Sequence, residues 1–211
     1  MSGSISSHWE KAYRLPLSDI PWEIETPPAD LVGLLKSGLI APGTALDVAC
    51  GSGNYSLYLA KAGFDMTSVD VSETALKIAK EKARKAGLEA GIHFIHADAR
   101  HLADALPSTR FDLVLDWSFL HHIAPKDFAA YCGQFSALLK PSGVLLLACF
   151  SDADAPKRGL KQAVGKLGNV MYYRTREEIE AAYRPLHVTQ YRACRLGKKK
   201  QHAGHCVLFQ K

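Results

Sequence analysis

Five strand-length apolar runs, at 45–49, 66–70, 92–96, 111–116 and 143–150, constrain this chain more than any other feature. Each is continuous rather than alternating, as expected of a strand buried on both faces. Segments of helical periodicity separate them: Tyr55 to Ala62, Glu73 to Ala86, and Lys126 to Leu139. In the second of these, Leu76, Ile78, Ala79 and Ala83 form an inner face while Lys and Glu point outward. Ser72 is placed to cap its start and Gly87 to close it. Strand and helix in alternation demand parallel pairing with right-handed crossovers, hence an α/β, doubly wound sheet. Past residue 150 the pattern changes. Thr175-Arg-Glu-Glu178 is a capping box that opens a short helix to Tyr183. His187 to Arg195 alternates and Cys206 to Phe209 is apolar, which predicts a C-terminal antiparallel strand pair.

Function is written at the first strand end. Ala45 to Ala49 runs into a loop with glycines at 51 and 53, and a helical pattern follows from Asn54. Gly51 and Gly53 remove side chains where a ligand can press against backbone at the carboxyl end of a parallel strand. Asp70 ends the next strand, beside that loop, where a carboxylate can accept hydrogen bonds from both hydroxyls of a ribose. A nucleoside cofactor follows, and it is not a dinucleotide. The third glycine of the dinucleotide fingerprint is replaced by Ser56, and no Gly-Lys-Ser/Thr of a phosphate-cradling loop is present. Asp47, four residues before Gly51, would repel a pyrophosphate. It would attract an ammonium or sulfonium centre by roughly 1–4 kcal/mol at surface-like dielectrics. S-adenosylmethionine carries a ribose and both cations.

The segment Asp47-Val-Ala-Cys-Gly-Ser-Gly53 resembles the glycine-rich first motif of class I S-adenosylmethionine-dependent methyltransferases. Asp70 resembles their second-strand acid, and His96-Ala-Asp-Ala99 their third motif. Phe111-Asp-Leu-Val-Leu-Asp116 resembles the fourth-strand motif, and Leu139-Lys-Pro-Ser-Gly-Val144 the turn into strand five. The resemblance implies a Rossmann-like, mostly parallel seven-stranded sheet with helices on both faces. It implies S-adenosyl-L-methionine as cofactor, held by Asp47, Gly51, Gly53, Asp70, Val71, Asp98, Ala99 and Asp116, with Asp98 meeting the adenine amino group. Trp9-Glu-Lys-Ala-Tyr13 and Ile20-Pro-Trp-Glu-Ile24, before Thr26-Pro-Pro28 and a helix from Ala29 to Lys36, resemble the N-terminal arm of the thiopurine, thiol, halide and tellurite methyltransferases. In that group aromatic residues of the arm help cover cofactor and substrate, a role that would fall here to Trp22; the bland alternative is an aromatic that straps the arm down. Asp116-Trp-Ser-Phe-Leu-His-His-Ile123 and Asp152-Ala-Asp154 resemble loops of the same group, which often has a small or charged residue where Trp117 stands. Residues 1–28 are thus expected to be an arm or lid, mobile because few apolar residues secure it, and 29–211 a single methyltransferase domain.

Length and composition fit this picture. At 211 residues with 47% hydrophobic residues, one soluble domain with a substantial core is expected. No run approaches the roughly 20 apolar residues that span a bilayer, and the first 30 residues contain Trp, Glu and Asp and no compact apolar stretch, so a signal peptide is not expected. Five widely spaced cysteines without a Cys-x-x-Cys read as reduced thiols of a cytoplasmic protein. The formal charge of +5 is concentrated near Lys198-Lys199-Lys200, read as a solvated hairpin turn away from the site rather than a nucleic-acid patch. No third ligand completes a metal-binding spacing around the nine histidines. Asp116, at a strand's carboxyl end, and one of His121 and His122 are the candidate catalytic groups, with His121 chosen; the bland alternative for the histidines is a satisfied structural role. A sulfonium is already a good leaving group, so alignment carries most of the chemistry. With no marked base triad, the acceptor is expected to be a small thiol, halide or chalcogen oxyanion, taken by a monomer or weak dimer. The competing readings are transfer to RNA or protein, and a regulator that binds the cofactor without turnover.

Overall fold

The computed structural model describes residues 5–156, 161–198 and 201–211. Its centre is a seven-stranded sheet built from β1 (Thr44–Val48), β2 (Asp65–Asp70), β3 (Ile92–His96), β4 (Phe111–Trp117), β5 (Leu139–Phe150), β8 (His187–Leu196) and β9 (His202–Gln210). The order across the sheet is β3-β2-β1-β4-β5-β9-β8. The first five strands pair in parallel, and β9 pairs antiparallel with both β5 and β8. After β1 the chain winds outward through β2 and β3, then returns to lay β4 on the other side of β1. Strand order therefore reverses at β1, and a crevice opens beyond the carboxyl ends of β1 and β4.

Side chains of a strand alternate between faces, so each central strand feeds two core layers. Leu46, Val114, Leu145 and Leu147 pack with Tyr131 and Phe135 of α6 (Pro125–Leu138) on one face. Ala45, Leu113, Leu115 and Leu146 pack with Leu31 of α2 (Ala29–Lys36) and Leu59 of α3 (Asn54–Lys61) on the other. Burial on both faces is why these strands read as unbroken apolar runs. The caps lie where expected: Ser72 Oγ accepts from the Ala75 amide at 3.1 Å at the start of α4 (Glu73–Ala86), and Gly87 ends it at φ +67°. The Thr175–Glu178 box is made in full at the start of α7 (Arg176–Ala182).

Three elements escape the sequence pattern. β5 begins at Leu139 rather than 143, because the Lys140–Gly143 turn is folded into the strand; a Cβ at Gly143 would lie 2.8 Å from the Phe111 carbonyl. β6 (Gln162–Val164) and β7 (Val170–Tyr172) form a separate small hairpin, too short to show alternation. The arm contains α1 (Ile5–Ala12), and it is better anchored than its composition suggests. Tyr13 and Ile20 are buried against Ala75 of α4, with Leu17, Trp22 and Ile78 beside them. Polar anchors add to this: Glu10 accepts from Ser72 Oγ at 2.8 Å and from the Thr74 amide and hydroxyl. A carboxylate at a helix N-terminus is favoured by the orphan amides there, and these hydrogen bonds hold Glu10 down to about 2.

Candidate functional site

The glycine loop is the floor of the site. Leaving β1, the chain turns through Ala49 at φ +53° and Gly51 at φ +56°, and Gly53 at φ +77° precedes the first residue of α3. The Gly51 amide donates to Asp70 at 2.8 Å, and the Ser72 amide donates to the same carboxylate's other oxygen at 2.8 Å. Asp70 thus joins the loop after β1 to the start of α4. Tyr13 closes over the bare side of Gly51, where a Cβ would sit 2.2 Å from the phenolic oxygen. Glu23 ties the arm to the far side of the loop: Ser52 Oγ donates to it at 2.6 Å and Asn54 Nδ2 at 3.1 Å. Lys82 Nζ, bonded to both Ser52 and Asn54, lies 3.9 Å from it.

Above this floor lies a concave cleft, open to solvent. Asp47, Ala49, Cys50, Gly51, Asp70 and Val71 line its base. Trp9, Tyr13 and Trp22 of the arm, Tyr55 of α3, and Trp117, Phe119 and His122 after β4 line the rest. Glu23, Asp47 and Asp70 face it, and no Lys or Arg does among the described residues lining it. Burial raises Asp47 to about 7 and Asp70 to about 6, against the hydrogen bonds that Ser56 and the backbone make to their charged forms. Burial likewise pushes the Cys50 thiol well up, which leaves it protonated and a poor nucleophile.

Of the residues singled out by sequence, Asp47, Gly51, Asp70, Val71 and Trp22 come together here. Gly53 is not in the lining; it supplies the left-handed turn into α3 and lets the loop approach α4, since a Cβ there would meet the Ala79 methyl at 2.9 Å. Asp98 and Ala99 also lie outside it. The Asp98 carboxylate is taken by the Arg100 guanidinium and amide, and Ala99 is buried beneath that turn in the core. Two further candidates lie outside the cavity lining. Asp116 is fully buried on the α6 side of β4, accepting from Tyr131 Oη at 2.7 Å and from the Leu120 amide at 3.3 Å. Through these bonds it fastens the loop after β4. His121 is buried and stacked on Phe150 with ring centroids 3.8 Å apart, its Nδ1 without a partner among the described residues. Burial drives its pKa well below the usual value, so it is a neutral packing ring. Its neighbour His122 is the one that faces the cavity.

The basic hairpin is also nearer than its sequence position suggested. Gly197 lines the cavity, and the Lys198 amide donates to the Pro21 carbonyl of the arm at 3.3 Å. Lys199 and Lys200 lie outside the described residues. Trp9 is the aromatic that sequence reasoning left unassigned; its place inside an amphipathic stretch ahead of Tyr13 was the available signal.

Fold, glycine loop and strand-end acid together define a class, and comparison with known proteins agrees. Residues 45–143 match the family model described as a methyltransferase domain. Among curated relatives, the ubiquinone biosynthesis O-methyltransferase of Caulobacter vibrioides is 36% identical over 106 residues, 50% of this chain and 40% of that protein. "Probable thiol methyltransferase 2" of Arabidopsis thaliana is 26% identical over 150 residues, 71% of this chain and 64% of the relative. The chain thus spans about 40% of the length of the ubiquinone-biosynthesis relatives it matches. In fold it is similar to the Burkholderia thailandensis 1,6-didemethyltoxoflavin-N1-methyltransferase, solved with 1,6-didemethyltoxoflavin and S-adenosylhomocysteine. That likeness has a TM-score of 0.78 at 20% identity, covering 98% of this chain and 87% of the other. Among the described residues no helix is long and apolar enough to cross a membrane.

Proposed function

We propose that this chain transfers the methyl group of S-adenosylmethionine to a small-molecule acceptor. The observation that carries the reading is the corner where the Gly51 loop, bonded to Asp70, opens into an aromatic cavity that presents three carboxyl groups and no cation among its described lining. In this reading the lone pairs that Asp70 keeps free of the backbone take the ribose hydroxyls, and Val71 borders the adenine. Asp47 and Glu23 face the cationic methionine end, and Trp22 with Tyr13 covers it. The lining, crowded by indoles, suits a compact acceptor more than a polymer, and the named substrates of the relatives above are in keeping with that. Among small acceptors a thiol fits, since it arrives uncharged. A halide or chalcogen oxyanion is anionic and finds no positive partner among the described lining residues, only carboxylates. Transfer of labelled methyl to a panel of thiols, phenols, halides, tellurite, and RNA tests the reading. Label in the thiols supports it; label in RNA alone overturns the small-molecule part.

The electrostatics give a sharper expectation. Asp47 and Asp70 titrate near 7 and 6 in the free site, and a bound cation favours their ionised forms. Affinity for S-adenosylmethionine should therefore rise with pH, by about tenfold between pH 5.5 and 7.5 if one proton is released on binding. Asp47→Asn should flatten most of that slope. A flat profile for the wild type in calorimetric titration would contradict the placement of these acids.

A further inference from the structure

His122 is held in a way that the cofactor reading does not use. Its Nδ1 lies 2.9 Å from the Val170 carbonyl of β7. A carbonyl only accepts, so Nδ1 carries the hydrogen and Nε2 is left with a lone pair. That nitrogen has no protein partner among the described residues and is not sealed from solvent. The ring faces the cavity, with Trp9 edge-on at 4.8 Å and Phe119 at 6.5 Å between ring centroids. The small β6–β7 hairpin, which pairs with no strand of the central sheet among the described residues, thus fixes the tautomer of one cavity histidine. Burial and the nearby His8 lower that histidine to about 4, so at neutral pH the lone pair is free.

Resting on the methyltransferase reading, we infer that the acceptor is a flat, uncharged aromatic compound bearing a protonated thiol or phenol, and that His122 Nε2 receives its proton. The flat shape follows from the walls: Trp9, Trp22, Phe119, Trp117 and Tyr55 offer ring faces and edges and no cation. In the transfer step a lone pair on the acceptor's sulfur or oxygen forms the bond to the methyl carbon. The carbon–sulfonium bond breaks, and its electron pair goes to the departing sulfur, leaving neutral S-adenosylhomocysteine. The acceptor's hydrogen becomes strongly acidic as that bond forms, so a weakly basic imidazole suffices to take it and pass it to water. A base as weak as this one is also never lost to protonation at neutral pH.

The test compares acceptors that do and do not bring a proton. 4-Nitrothiophenol is ionised at pH 7.5, whereas benzyl mercaptan and phenol are protonated. His122→Phe keeps a ring against Trp9 and removes the lone pair. For this variant kcat/KM with benzyl mercaptan or phenol should fall at least thirtyfold, the low end of general-base effects being about a hundredfold. With 4-nitrothiophenolate it should stay within about threefold, and affinity for S-adenosylhomocysteine should be unchanged. An equal fall for all acceptors would make His122 a packing residue, and no fall would remove it from the reaction; either overturns the inference. So would a wild type that binds S-adenosylhomocysteine yet methylates none of the three. Failure to bind S-adenosylhomocysteine at all would instead strike the methyltransferase reading itself.

Discussion

Asp70→Ala is expected to lower cofactor affinity by more than a hundredfold and to destabilise the free protein as well. Two charge-assisted hydrogen bonds to the ribose, each contributing about 1.5–3 kcal/mol, would be lost. The same carboxylate accepts from the Gly51 and Ser72 amides, and without it those two donors have no protein partner. Water from the cavity can reach the loop, so the cost to folding should be about 1–3 kcal/mol rather than the full penalty for two buried donors. Asp70→Asn, which keeps one acceptor oxygen, should recover part of the stability and little of the affinity. Thermal melts with calorimetry separate the two effects. Full affinity in a destabilised Asp70→Ala would mean that the residue is only a brace for the loop.

Asp116→Ala should cost even more stability, about 3–5 kcal/mol, because Tyr131 Oη and the Leu120 amide would be stranded in a site that water does not reach. Asp116→Asn should fold and retain methyl transfer, since an amide can still pair with the Leu120 amide and Tyr131 can turn its hydroxyl to accept. The pH dependence follows from burial, which raises Asp116 to about 7. A carboxyl raised on folding contributes stability below its unfolded pKa and loses it as pH rises through the folded value. The Asn variant should therefore gain on the wild type between about pH 4 and 7 and no further above that. Loss of transfer in Asp116→Asn with an unaltered melting curve would return this residue to the chemistry.

These two aspartates show where sequence reading succeeds and where it stops. The strands, their order of winding and the helix caps were legible because double burial and capping leave local signatures. Asp70 was legible for a similar reason: a carboxylate at a strand end beside a glycine loop has few other uses. Asp116 has the same local setting, but strand parity turns it toward α6 and Tyr131, a contact fifteen residues away that no local pattern records. His121 and His122 are neighbours in sequence, yet Phe150 claims the first and Val170 the second. The anchoring of the arm was hidden because Glu10 and Glu23 secure it through hydroxyls and amides of distant segments rather than through an apolar stripe. The β6–β7 hairpin, which positions His122, is too short to announce itself.

In the proposed function the Gly51–Asp70 corner takes S-adenosylmethionine and its product rather than a dinucleotide. Calorimetric titration of the wild-type chain with S-adenosylhomocysteine and with NAD tests it most directly. Saturable one-to-one binding of S-adenosylhomocysteine, with a stabilisation of about 2.7 kcal/mol at a hundredfold excess over Kd and no response to NAD, is the predicted result. Binding of NAD without binding of S-adenosylhomocysteine would contradict it.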